Sequence, residues 1–261
     1  MKEFSVFVGA LNYEFRMQAR RWVVWATLLL IGLMFLLIFS HSTAFFNEYI
    51  GRMKTLPLCT AIGSWASLLN DFVPIGLGCV LADRLVRDRR FKTQELFATM
   101  QGSSLARLAG KYVGSVLATT LPILVIYGLG IACILWLTGN ILAIPVGLLA
   151  LVTIMLPGYL FIGAFSLACP LVMWVPLYQF LFACYWFWGN ILSPHVGIPT
   201  ISETILTPIG RFAAEGYFHI HVYNTNITAT SATASIIVLL LVAAIVLLAA
   251  WRVQQLLQTR Q

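Results

Sequence analysis

The residues of this chain that could do chemistry are few and scattered. Asp71 stands in the middle of the apolar stretch 60–82, with Asn70 and Ser67 beside it. A charge inside such a run costs several kcal/mol unless it faces protein or water. Asp71 is therefore expected to line a polar path or to pair across a seam with another copy. Otherwise it is protonated and hydrogen-bonded to Asn70, Ser67 or a neighbouring helix. His219 and His221 form an H-x-H pair near Glu215, but two imidazoles on a loop fall short of a zinc ligand set, and surface histidines are the default reading. The five cysteines, Cys59, Cys79, Cys133, Cys169 and Cys184, contain no C-x-x-C pair, and at least three lie in apolar runs. They read as small hydrophobes in packed helices. The apolar runs hold no paired Glu, Ser–Lys or His cluster of the kind an intramembrane enzyme needs. Gly102 to Lys111 contains Gly-Lys without the full G-x-x-x-x-G-K-[ST] phosphate loop. No catalytic, metal or cofactor-binding residue is predicted, and the chain is not expected to be an enzyme.

The elements that must position these residues are membrane spans. Of 261 residues, 60% are hydrophobic and only 10% charged, too little charge to cover a soluble domain of this size. A span needs about 20 mostly apolar residues. Six stretches qualify: 22–39, 60–82, 112–137, 141–167, 173–192 and 230–251, the second being the weakest by hydropathy. The predicted fold is an all-α polytopic membrane domain covering residues 1–261. Thr138-Gly139-Asn140 and Ala168-Cys169-Pro170 form tight turns, and the connections 40–59, 83–111 and 193–229 are longer. The first run is long and lacks a small-x-small exit, so it is expected to be retained as a span.

Orientation follows from the basic residues. The formal net charge is +7. Long apolar runs separate the basic clusters, so anionic lipid, rather than nucleic acid, is the expected partner of that charge. With six spans, the N-terminal segment, the connection 83–111 and the tail share one side and carry thirteen Lys and Arg. The opposite side carries three: Arg52, Lys54 and Arg211. The positive-inside rule then makes both termini cytoplasmic.

Two cytoplasmic segments stand out. Residues 1–21, with Trp22 directly after them, place Phe4, Phe7, Leu11, Phe15 and Trp22 at steps of three, four or seven, with Glu3, Asn12, Glu14, Arg16 and Arg20 largely elsewhere on the wheel. This pattern predicts an amphipathic helix in the membrane interface. In the connection 83–111, Thr93 is a suitable N-cap and Glu95 lies in the first turn, where the helix dipole favours an anion. Leu96, Phe97 and Met100 form a short apolar face, and Gly102 suits the left-handed end. Ser103 or Ser104 can then cap a second helix running into the third span. The short helix is suited either to dock in a partner's groove or to rest on lipid.

At these residues the chain resembles the permeases of the type-2 ABC transporter family. That family carries a motif like E-x-x-x-G-T-L-E-x-L-x-x-[ST]-P-[VI]-[ST]-x-x-x-x-x-x-G-K after its second span. Thr93, Glu95, Leu96, Thr99, Ser103, Gly110 and Lys111 match it in order. Phe91-Lys92 replaces the usual glycine, and Gln101-Gly102 stands where proline is common. The stretch from Thr207 to Phe218 looks like the family's N-P-x-x-[YF]-x-x-x-x-[LF] segment, which forms short re-entrant helices on the outer side. The resemblance implies a bacterial plasma-membrane exporter subunit without nucleotide-binding motifs. A separate ABC ATPase would dock on a cytoplasmic coupling helix containing Thr93, Glu95, Leu96, Phe97, Thr99 and Met100. A second permease copy or homologue would complete the translocation path. A secondary transporter is the weaker alternative, since no internal repeat is visible and Asp71 is the single intramembrane charge. A non-transporting immunity or regulatory membrane protein is another alternative.

Span five is dense in aromatics, among them Trp174, Tyr178, Phe182 and Trp186, which read as interface anchors and packing or as the wall of a route for a lipophilic substrate. Pro122, Pro157 and Pro176 are expected to kink their spans.

Overall fold

A computed structural model describes residues 2–40, 51, 55–90, 103–192, 200–220 and 227–258. Every regular element among the described residues is helical. In chain order they are α1 (Lys2–Ala19), α2 (Trp22–Ser40), α3 (Leu58–Leu81), α4 (Arg84–Arg90), α5 (Ser104–Thr138), α6 (Ala143–Ala150), α7 (Leu156–Ala168), α8 (Val175–Trp186), α9 (Arg211–Phe218) and α10 (Ala229–Gln258). A π-helical turn, Leu151–Met155, joins α6 to α7, and a second, Phe187–Ile191, extends α8.

Among the described residues, four helical stretches are long and apolar enough to cross a membrane: Leu58–Arg87, Ser104–Thr138, Ala143–Leu171 and Ala229–Leu256. They cover the second, third, fourth and sixth expected spans. In the most apolar window of the first, 61% of residues are buried inside the protein, against 22% in the last. This difference explains why span two is the weakest by hydropathy. Helix α3 is enclosed by other helices, so it can carry Ser, Asn and Asp where a lipid-facing helix needs leucine.

The prolines act differently from one another. Pro122 lies within α5, and Pro74, which the sequence reading passed over, lies within α3. Pro157 is in the first turn of α7, directly after the π-turn that loosens the coil ahead of it. Pro176 occupies the first turn of α8, where its missing N–H is harmless, so it starts that helix instead of kinking it.

Buried side-chain donors fasten the helices through backbone carbonyls. Tyr112 Oη donates to Leu160 O at 2.7 Å, Tyr127 Oη to Gly147 O at 2.7 Å, and Trp65 Nε1 to Tyr127 O at 3.2 Å. Gly139, at φ +65°, ends α5 and returns its N–H to Leu135 O, closing the tight turn to α6. At the other end of α5, the Ser103 hydroxyl accepts from Ala106 N and caps the helix.

Helix α1 is held more closely than an interfacial helix needs. A Cβ at Gly110 would fall 2.5 Å from Phe7 O, and one at Gly114 would fall 2.6 Å from Leu11 O. Gly110 and Gly114 form a G-x-x-x-G pair on α5 that lets the two backbones approach. The inward face of α1 ends in two polar residues, Glu14 and Gln18, at 2% and 0% exposure. The helical wheel placed Glu14 on the polar side. It is buried instead because Arg84, also buried, forms an ion pair with it. Phe4 and Tyr13 remain exposed.

These contacts gather α1, the Asp83–Arg90 segment, the start of α5 and the end of α10 at one end of the bundle, where Trp251 Nε1 donates to Ser104 Oγ at 2.8 Å. At the opposite end Thr60 Oγ1 donates to Phe218 O at 3.2 Å, and Ser235 Oγ to Ile205 O at 2.7 Å.

Replacing Gly110 with leucine should lower the melting temperature of the purified protein, since overpacking costs about 1–3 kcal/mol. Gly9, with nothing near its Cβ position, should tolerate alanine without loss. Equal melting of the wild type and Gly110→Leu would remove the close α1–α5 packing.

Candidate functional site

Asn70 and Asp71 are consecutive on α3 but point in different directions, because successive helical residues are about 100° apart. Asn70 faces the protein interior and is fully buried. Asp71 falls on a half-buried stripe with Ser64, Ser67 and Leu68, at spacings of three, four and seven.

The Asn70 amide donates into a cluster of carbonyls. Its Nδ2 lies 2.5 Å from Ile209 O, 3.3 Å from Ile154 O and 3.5 Å from Pro208 O. Two N–H groups thus serve three acceptors, from the π-turn between α6 and α7 and from the 201–210 turns that lead into α9. Two glycines make this interlock possible. A Cβ at Gly158 would sit 2.1 Å from Pro208 O, and one at Gly210 would sit 2.3 Å from Ile154 O. Gly210 also adopts φ +80°, which disfavours any side chain.

The network returns to the neighbour of Asn70. Thr207 Oγ1 donates to Asn190 Oδ1 at 3.3 Å, and Asn190 Nδ2 donates to Trp186 O at 3.3 Å. Trp186 Nε1 donates to the backbone oxygen of Asp71 at 2.6 Å. Helix α8 therefore runs antiparallel to α3 and is fixed along it. Gln179 Nε2 donates to Cys79 O at 2.9 Å, and Phe182 packs where a Cβ at Gly78 would stand.

The Asp71 carboxylate makes no hydrogen bond or ion pair with a described residue. The expected partners are engaged elsewhere or not in reach: Asn70 gives its amide to the three carbonyls, and Ser67 Oγ is buried without a hydrogen bond. Ser64, Ser67 and Asp71 thus make a polar strip on a helix otherwise surrounded by apolar packing. Such a strip can solvate a polar group or meet a polar surface. Nothing in it resembles a nucleophile–base pair.

At the basic end, Arg84, Arg21 and Arg87 lie close to Glu14 and Asp83. Burial, then the nearby guanidinium groups of Arg87 and Arg84, push Arg21 below its ordinary pKa. The connection leaving this cluster carries Thr93, Glu95, Leu96, Phe97, Thr99 and Met100, which lie outside the described residues, as does His221. The sequence reading missed the Asn70 hub, since its partners are 84 to 139 residues away. It also missed Gly110-x-x-x-Gly114, which was present as a motif.

Comparison of the chain with protein-family models, with curated proteins and with solved structures finds no match.

Asn70→Ala should destabilise the fold by about 1–3 kcal/mol, the typical cost of leaving a buried polar partner unsatisfied. Asn70→Asp should be worse, because an ionised carboxylate would face three carbonyl oxygens. Thermal melting of the two variants in detergent checks this order. An Asn70→Asp protein as stable as wild type would refute it.

Proposed function

We propose that the chain is the membrane-spanning permease subunit of an ATP-driven exporter of the type-2 ABC class, working with a separate ATPase. The observation that carries this reading is the gathering of α1, the basic Asp83–Arg90 segment, the capped start of α5 and the end of α10 at one end of the bundle. That is the end where the positive-inside rule places the cytoplasm, and the connection 83–111 starts and finishes there, on the side a cytoplasmic ATPase would meet. In this reading α2 and the 17 residues of α8 with its π-turn complete six spans with the four long apolar stretches. The stretch Thr207–Phe218, which includes α9 and whose first carbonyls reach Asn70 inside the bundle, is the re-entrant outer segment. Thr93, Glu95, Leu96, Phe97, Thr99 and Met100 are the residues that would couple the chain to the ATPase. The Ser64–Ser67–Asp71 strip lines the translocation path against a second permease copy or homologue.

Purification from the native membrane in mild detergent tests the reading. A stoichiometric ABC ATPase is expected, with hydrolysis that depends on this chain, and Glu95→Lys should weaken the complex. A stable preparation lacking any ATPase would overturn the proposal. Asp71→Asn should reduce transport at unchanged expression while the ATPase stays bound. Intact transport would take Asp71 out of the path.

A further inference from the structure

A cleft of about 490 Å³ lies between α7, α8 and α10, within the roughly 300–1,000 Å³ of typical small-ligand sites. It is separate from the Asp71 strip, with Trp186 standing between the two. Its walls are built from two aromatic ladders. On α8, Tyr178, Phe182 and Trp186 recur every four residues, with neighbouring ring centroids 5.7 and 5.9 Å apart. On α7, Phe161 and Phe165 pair at 4.8 Å. Val242 of α10 closes the third side, and Leu206 and Pro208 roof one end.

The fastening of the helices keeps this cleft open. Helix α8 is bonded to α3 through Gln179 and Trp186 and drawn in at Gly78. Helix α10 is tied instead to the 201–220 region, through Ser235 and the close approach of Ala232 to Gly216. The two helices are held apart by their separate attachments, and α7 forms the floor between them. A preformed gap binds without the ordering cost of a collapsible one.

The lining chemistry names the occupant. Most polar atoms at the cleft are already paired, Tyr178 Oη with Ser166 Oγ at 2.9 Å and the Asn190 amide with Thr207 and Trp186 O, which leaves the Tyr185 hydroxyl and the Cys169 thiol in a lining that is otherwise apolar. A ligand carrying donors or acceptors would lose its hydration without replacement, whereas a hydrocarbon chain loses nothing. All three walls belong to apolar helical segments, so the medium at the mouth is the bilayer interior.

We infer that this cleft holds one acyl chain of a bilayer phospholipid, inserted sideways, with its headgroup left outside. The inference needs only that the apolar helices lie in a bilayer. It stands or falls separately from the ATPase-dependent reading.

The test uses the full chain in phosphatidylcholine vesicles with a trace of phosphatidylcholine bearing a diazirine at its chain end. After illumination, adducts are mapped by mass spectrometry. Adducts on Phe161, Phe165 and Leu181 should exceed those on the open faces at Leu129 and Ile245 by about tenfold, the ratio a decade of added affinity gives. Val242→Trp, filling the cleft from α10, should bring them to the Leu129 level while Leu129 labelling is unchanged. Leu181→Trp fills it from α8 and serves if the first variant does not fold. Cleft labelling no greater than at Leu129 and Ile245 would overturn the inference. So would labelling that survives Val242→Trp in a protein of unchanged melting temperature. Preferential cleft labelling by a probe with its diazirine at the headgroup would also overturn it, in favour of a whole buried amphiphile.

Discussion

One amide holds the interior of this bundle together. Asn70 reaches three carbonyls that no regular helix could bring to one place, since they come from a π-turn and from an irregular loop. In a hydrocarbon surround, irregular backbone survives only where the protein itself satisfies its polar groups. The 201–210 turns can enter the bundle because Asn70 supplies donors there, and because Gly158 and Gly210 remove the side chains that would block the approach. From there the order spreads outward. The turns fix Asn190, Asn190 fixes the end of α8, and Trp186 returns to α3 one residue from the start of the circuit.

The basic end follows a different rule. Glu14 and Arg84 are both buried, and a buried pair of this kind contributes less to stability than to register, because either charge alone would be costly. The G-x-x-x-G pair sets how near α1 comes to α5, and the ion pair fixes the far end of α1 against the start of α4. Together they turn a segment resembling a floating interfacial helix into a fixed part of the core.

Much of the helical layout was legible in the sequence, because a run of apolar residues of membrane length has few alternatives to a helix. The stretches 60–82, 112–137, 141–167 and 230–251 all fall on long apolar helices, and Ser103 caps α5 as its position before an apolar run suggested. The site was less legible. Asn70 reads as an ordinary polar neighbour of Asp71, and only the fold shows that the two face apart. The burial of Glu14 depends on Arg84, 70 residues away, so no local wheel could reveal it. Pro176 was expected to kink its span, because a proline within an apolar run reads as a kink, whereas here it begins the helix.

The length of α5 has a mechanical consequence. At 35 residues it measures about 52 Å, some 20 Å more than the roughly 30 Å hydrocarbon thickness a membrane would present to it. Its turn at Gly139 is tight, and Ser103 stands at the other extremity, where α1 lies alongside as a splint. That overhang is not a free arm: α1 braces it along Gly110 and Gly114, Trp251 of α10 pins its tip at Ser104, and Glu14 anchors the brace to Arg84. The excess length is thereby tied into one rigid head, so a tilt of α5 would carry α1 and the end of α10 with it.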